Sequence, residues 1–351
     1  MAGFYLTHPI PLKRRILLSL DKIMYWTGTA FLYVKAQRIK GAIILMYHSI
    51  ASSKLANWIE PEGHIEPSVF ESQMRFLANH RNVISLNQLL EQLKKGQTPC
   101  AGTVVLTFDD GYLDNMTVAA SILAHYKLPA TWYLPTGMIY RGENPWIDRI
   151  YTAFKTKSQT KLSIEGIGSW DLVNFKQQLI AYDNLKKKLI VSSFTEREDI
   201  IANVIEQLQP TETPSRLILS WDEIRKVMQK FPNIEMGIHS TNHVDFTSHS
   251  QEIIYREIQQ CIADFRHELG RNPRHFAFPY NRHNAIAREL VQELGLTSAV
   301  AHGSGREVLI QEGADLLALP RIEPPHSATL FRLYTSGAFS GLLKAFIGRV
   351  T

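Results

Sequence analysis

Thr103-Val104-Val105-Leu106-Thr107-Phe108-Asp109-Asp110-Gly111-Tyr112 is the stretch whose reading decides the fold. Residues 103 to 107 are apolar or β-branched, the pattern of a strand buried on both faces of a parallel sheet, and they run straight into two carboxylates and a glycine. The acids therefore stand at the strand's C-terminal end. In barrels and open α/β sheets that edge carries the chemistry, because its loops vary while the strands hold position. Side chains alternate along a strand, so Asp109 and Asp110 share a role only if the chain turns, and Gly111 allows that turn. Asp-Gly is also an ordinary turn pair, so this stretch alone leaves a plain acidic turn open.

A second stretch, Ile234-Glu235-Met236-Gly237-Ile238-His239-Ser240-Thr241-Asn242-His243, again reads as a short strand and ends in two histidines four apart. A zinc-class divalent metal takes imidazole nitrogen and carboxylate oxygen, and a hydrolytic site keeps one position open for water. Asp110, His239 and His243 would supply two nitrogens and one oxygen. A pair spaced HxxxH can equally be neighbours on a solvated helix face, or a core histidine and a bystander. Its place after an apolar strand, together with the Asp-Asp stretch, favours the metal.

TFDDGY and HSTNH, in this order, resemble the polysaccharide deacetylase family, carbohydrate esterase family 4, with its NodB-like domain. Ile43-Ile44-Leu45-Met46-Tyr47-His48 resembles the opening strand of members with a permuted motif order, and Phe276-Ala277-Phe278-Pro279-Tyr280 resembles their Pro-Tyr segment. The resemblance covers roughly residues 41 to 326. It implies an α/β fold, a distorted (β/α)7 barrel, and metal-dependent removal of an acyl group from an amino sugar. By the same resemblance Asp109 matches the general base and His48 the general acid, although His48 could also be a strand-end histidine bonded to backbone. A backbone N–H at Tyr280 is expected to bind the oxyanion. The arginine that orients the base is Arg274 or Arg321; Arg321 is preferred because residues 317 to 319 read as a strand delivering it to the same edge. Pro279-Tyr280-Asn281 departs from the family's Pro-Tyr-Gly, and Asn is the non-glycine residue that best tolerates positive φ.

The whole chain has 351 residues, 45% of them hydrophobic and 20% charged, which suits one large α/β domain with additions. Two cysteines, Cys100 and Cys261, are too few for a disulfide framework, and Cys261 falls in the apolar stripe Ile254, Ile258, Cys261, Phe265 of a helix. A net charge of +5 spread over this length is no basic stripe, so nucleic-acid binding has no support. Helices are expected from Pro67, after the Ser85-Leu86-Asn87-Gln88 capping box, around Asn115 to His125, after the caps Ser220-Trp221-Asp222-Glu223 and Ser248-His249-Ser250-Gln251, and from Asn284 to Leu294, with a further strand at Ala130 to Leu134.

Three segments lie outside that rhythm. Residues 1–40 form an N-terminal amphipathic extension: Asp21 and Lys22 interrupt the apolar run after Lys13-Arg14-Arg15, so no signal peptide is expected, and residues 23–34 are too short to span a bilayer. Residues 327–351 read as a C-terminal amphipathic helix. Both ends suit packing on the barrel or peripheral contact with the inner face of the cell membrane, with a cytoplasmic location. Residues 141–219, inserted after a barrel strand, read as a helical insertion without a strong strand, either a lid or a decoration, in which Trp146 and Trp170 could stack on sugar rings.

The function expected is hydrolysis of an N-acyl group on a polysaccharide, oligosaccharide or lipid-linked amino sugar, with zinc, cobalt, nickel or iron as the metal. An O-acetyl esterase and a non-catalytic carbohydrate-binding protein are the alternatives. The second carboxylate beside a metal ligand argues against mere binding.

Overall fold

In the computed structural model, which describes residues 39–52, 56–302 and 308–337, the stretch that ends in the paired aspartates is a strand, Thr103–Phe108, with all six residues buried. Numbered in chain order, the strands are β1 (Ala42–Tyr47), β2 (Asn82–Val83), β3 (Thr103–Phe108), β4 (Ala130–Leu134), β5 (Lys161–Ile164), β6 (Gly168–Asp171), β7 (Ile234–Ile238), β8 (His275–Ala277), β9 (Ser298–His302) and β10 (Leu319–Ile322). Seven of them pair in parallel in the order β1-β10-β9-β8-β7-β4-β3, and β3 returns to β1 over its full length, closing a barrel. The short β2 pairs with Thr103 and Val104, and β4 takes up pairing at Thr107 and Phe108. The expected (β/α)7 barrel is therefore present.

Parallel closure explains the unbroken apolar runs, since each strand is buried inside and out. Phe108 stacks on Tyr47 at 5.2 Å, meets Phe70 edge-on at 5.9 Å and Trp132 at 6.1 Å, joining β1, β3, β4 and the Pro67–His80 helix in one core. The Ser85 and Ser220 capping boxes form as expected. The cap expected over Ser248 to Gln251 is not made: the Gln251–Leu269 helix begins at Gln251, with Ser250 at its N-cap and no side-chain capping bond. Ile254, Ile258, Cys261 and Phe265 form that helix's buried face.

The insertion has a core of its own. It contains the helices Trp146–Thr156, Phe175–Val191 and Phe194–Leu208, whose Ile150, Phe154, Leu185, Leu189, Ile201 and Val204 are fully buried together. It is not all helical, because β5 and β6 pair as an antiparallel hairpin. Four-residue strands flanking Glu165-Gly166-Ile167 are too short to stand out beside the long helical stretches. Of the two readings open for Trp170, sugar stacking or core, the structure shows the core: its ring lies 2.5 Å from where a Cβ on Gly168 would stand. Trp146 is buried as well. At the other end of the chain the Ala328–Tyr334 helix packs Phe331 and Leu333 inward, while residues 1–38 and 338–351, where the amphipathic ends were expected, lie outside the described residues. No described helix is long and apolar enough to cross a membrane.

Asp148, fully buried in the Trp146–Thr156 helix, ties the insertion to the barrel mouth. Its Oδ1 accepts from the Glu60 N–H and its Oδ2 from the Tyr112 hydroxyl, each at 2.8 Å. Burial pushes its carboxyl up to about 8, against the opposing pull of those two donors. The folded protein thus keeps a proton that the unfolded chain releases near the ordinary carboxylate value. Stability should fall as pH rises from about 4 toward 8. Urea midpoints at about pH 5 and about pH 8.5 should show this loss in the wild type and a smaller one in Asp148→Asn; equal losses would contradict the burial of a neutral acid here.

Candidate active site

The barrel's C-terminal mouth is set by where its strands stop. Asp109 donates its N–H to Tyr47 O at 2.9 Å, the last rung of the β1–β3 ladder. The chain then turns at Asp110 itself, with φ +66°, and continues the turn at Gly111, with φ +62°. A non-glycine residue in this region carries a penalty of roughly 1–2 kcal/mol, which Asp bears better than most. The turn defeats strand alternation and brings both carboxylates to one mouth.

After β7 the chain behaves in the same way. Ser240 and His243 take φ +61° and +53°, and Ser240 Oγ accepts from the His243 N–H at 2.9 Å. The histidines thus lie on a strained loop rather than a helix face. Glu257, from the Gln251–Leu269 helix, accepts from the N–H groups of Thr241 at 3.1 Å and Asn242 at 2.7 Å and from the Asn242 side-chain amide at 2.7 Å.

These two loops bring Asp110, His239 and His243 together, with one potential ligand atom from each lying within 4.8 Å of the others. Asp110 Oδ1 stands 3.5 Å from His239 Nε2 and 3.3 Å from His243 Nε2. Tetrahedral coordination at zinc distances separates its ligands by about 3.3 Å, so the spacing fits a single ion. His239 Nδ1 lies 2.7 Å from Ala277 O, which can only accept; the proton is therefore on Nδ1 and the Nε2 lone pair faces Asp110. Burial lowers the His239 pKa to about 4, keeping the ring neutral. Asp110 Oδ1 is buried without a hydrogen-bond partner. Burial alone would raise the Asp110 carboxyl, but the adjacent His243 and the other histidines outweigh it and hold it well below the usual range. A carboxylate and two imidazoles converging at these distances are a donor set for a divalent cation.

Asp109 is held differently. Arg321, on β10, grips it with two parallel hydrogen bonds, Nη1 to Oδ1 at 2.7 Å and Nη2 to Oδ2 at 2.6 Å, and both side chains are almost fully buried. The guanidinium also donates to Thr107 Oγ1 at 3.2 Å and Asn281 Oδ1 at 2.8 Å and lies 5.5 Å over the Tyr133 ring. Burial tends to raise the Asp109 carboxyl, and Arg321 reverses this, leaving it below its ordinary value. Of the two arginines considered, Arg321 is the one at the site; Arg274 is exposed. His48, half-buried at the end of β1, lies near enough to help depress both aspartates.

Tyr280 and Asn281 both adopt left-handed backbone, at φ +54° and +56°. Asn281 therefore accommodates the turn that the family makes with glycine, and its side chain adds a bond to Arg321. The Tyr280 ring meets His243 edge-on at 4.6 Å, and its hydroxyl donates to His243 O at 3.2 Å while accepting from Trp146 Nε1 at 2.9 Å. Two further residues were not legible in the sequence. Arg197, from the insertion, bonds the carbonyls of Asn242 and His243, and Glu257 holds the same loop. A lone arginine in a Glu-rich helix and a glutamate in a mixed one carry no motif.

The family model for polysaccharide deacetylase matches residues 96–299, more than half of the chain. The chain belongs to the polysaccharide deacetylase family. Among curated members, YxkH of Bacillus subtilis (strain 168), a candidate polysaccharide deacetylase, is 30% identical over 103 residues, a match spanning 29% of this chain and only 34% of that protein. Among solved structures, the deacetylase PplD of Streptococcus pyogenes, in complex with acetate, aligns over 86% of this chain and 99% of its own at 19% identity and a TM-score of 0.55. IcaB from Ammonifex degensii aligns over 85% and 98% at 15% identity and 0.56. Both likenesses are to the barrel fold.

Replacing Arg321 with Met should leave Asp109 buried without a counter-charge and cost about 3–5 kcal/mol in denaturant unfolding. The double variant Asp109→Asn, Arg321→Met should recover part of that loss. A single-variant cost below about 1 kcal/mol would mean that the pair is not desolvated.

Proposed function

We propose that the protein hydrolyses the N-acetyl group of an amino sugar in a polysaccharide, oligosaccharide or lipid-linked glycan, with a divalent metal, zinc first, held by Asp110, His239 and His243. The observation that carries the reading is the placement of two unlike carboxylates at one barrel mouth: Asp110 turned toward two imidazoles and Asp109 clamped by Arg321. A resident divalent cation supplies Lewis acidity, making water nucleophilic at neutral pH and polarising the acyl carbonyl. A site that only bound sugar would have no use for the second carboxylate.

The chain's own groups perform the remaining steps. Each Asp109 oxygen keeps a free lone pair beside its Arg321 bond, so the carboxylate can take the proton of the attacking water while the guanidinium holds its plane. Arg321 lowers the basicity of Asp109 and fixes its carboxylate plane. His48, on the neighbouring strand end, delivers a proton to the departing nitrogen, which an amide requires far more than an ester does. Tyr280, in its left-handed turn, is the residue whose backbone N–H would bind the developing oxyanion.

Acetate release from an N-acetylglucosamine oligomer, by metal-stripped protein with zinc or cobalt restored, tests the reading. Release should depend on the added metal, disappear in His239→Ala, and fall by roughly 10²–10⁴ in Asp109→Asn and in His48→Ala. Metal-independent release, or full activity in Asp109→Asn, would overturn it.

A further inference from the structure

The loop that carries His243 is held from outside the barrel. Arg197 lies in the first turn of the insertion's Phe194–Leu208 helix and is 2% exposed. Its Nη1 donates to His243 O at 2.8 Å and its Nη2 donates to Asn242 O. The guanidinium sits 6.0 Å from the Trp146 ring and 5.9 Å from the Phe194 ring, and among the described residues it has no carboxylate partner. A buried cation without a counter-ion is costly, and here what it meets is mainly two loop carbonyls and two aromatic faces.

The two peptide groups just before these are held by Glu257, which takes the N–H groups of Thr241 and Asn242. A buried guanidinium on the carbonyls and a buried carboxylate on the amides fix a segment whose Ser240 and His243 both have positive φ. Two more insertion contacts reach the same loop. Trp146 acts through the Tyr280 hydroxyl on His243 O, and Arg141 Nη1 bonds Asn242 Oδ1 at 3.0 Å while its guanidinium covers the Phe194 ring at 4.4 Å. Without such support a strained loop relaxes, and the His243 ring loses its direction toward Asp110.

We propose that Arg197 is a positioning residue for the metal centre, so that docking of the insertion completes the site rather than merely covering it. This rests on the reading of Asp110, His239 and His243 as metal ligands. Groups that orient a ligand typically change metal affinity by about 10–100-fold when removed, and a loss of that size is expected here. A residue serving only the insertion's core would lower thermal stability without moving metal affinity.

The test titrates zinc and cobalt against the metal-stripped full chain, competing with a chromogenic chelator, and records the visible spectrum of the cobalt form and the melting temperature. The wild type, Arg197→Met, Arg197→Lys, His239→Ala and the core control Leu185→Ala are compared. Arg197→Met should weaken binding of both metals at least tenfold and alter the cobalt spectrum, with partial recovery in Arg197→Lys. Leu185→Ala should lower the melting temperature and leave metal affinity within about twofold of wild type. Wild-type affinity and spectrum in Arg197→Met, or equal loss of affinity in Leu185→Ala, would overturn the proposal. A wild type whose metal binding survives in His239→Ala would instead overturn the metal site itself.

Discussion

Three potential ligand atoms, Asp110 Oδ1 and the Nε2 atoms of His239 and His243, converge at one point of the rim. Water would have to solvate that cluster if no cation did, yet His239 is almost fully buried and Asp110 Oδ1 has no hydrogen-bond partner. Much of the surrounding architecture can be understood as holding this convergence. The Ala277 carbonyl fixes the His239 tautomer, Glu257 and Arg197 clamp the His243 loop, and Arg321 keeps the second carboxylate apart from the first. Each of these supports comes from a different element.

The parallel barrel makes such an arrangement attainable. Its strands end at one rim, so residues far apart in sequence, such as His48, Asp109, His239 and Arg321, meet without long excursions of the chain. Strain is concentrated at the rim. Asp110, Ser240, His243, Tyr280 and Asn281 make up five of the seven described non-glycine residues with positive φ. Strained backbone persists where the structure around it is over-determined, and here buried charge and strand pairing provide that rigidity.

Much of this was legible in the sequence because the signals were local. Apolar runs ending in acids or histidines identified the strands and the rim, and the capping boxes at Ser85 and Ser220 marked helix starts with chemistry confined to four residues. The resemblance to the family pointed to Asp109 and His48, the reading of a strand before it favoured Arg321 over Arg274, and the geometry brings Asp109 and Arg321 into contact with His48 near by. The hairpin of β5 and β6 was not legible, since four-residue strands in a subdomain give no periodicity long enough to read. Trp170 stayed open between two readings for a related reason: an aromatic residue looks the same in sequence whether it lines a cleft or fills a core. Arg197 and Glu257 act on backbone atoms, and a bond to a carbonyl or an amide leaves no complementary residue type to search for. The supports of a site are therefore harder to read than its reacting groups.

The most direct test of the account is the anomalous scattering of a crystal of the full chain grown with zinc. One strong peak should lie about 2.0–2.2 Å from an Asp110 carboxylate oxygen and from Nε2 of both His239 and His243, with Asp109 outside that coordination sphere and still paired to Arg321. A site free of zinc at saturating metal, or zinc coordinated by Asp109 in place of Asp110, would contradict the division of labour between the two carboxylates on which the account rests.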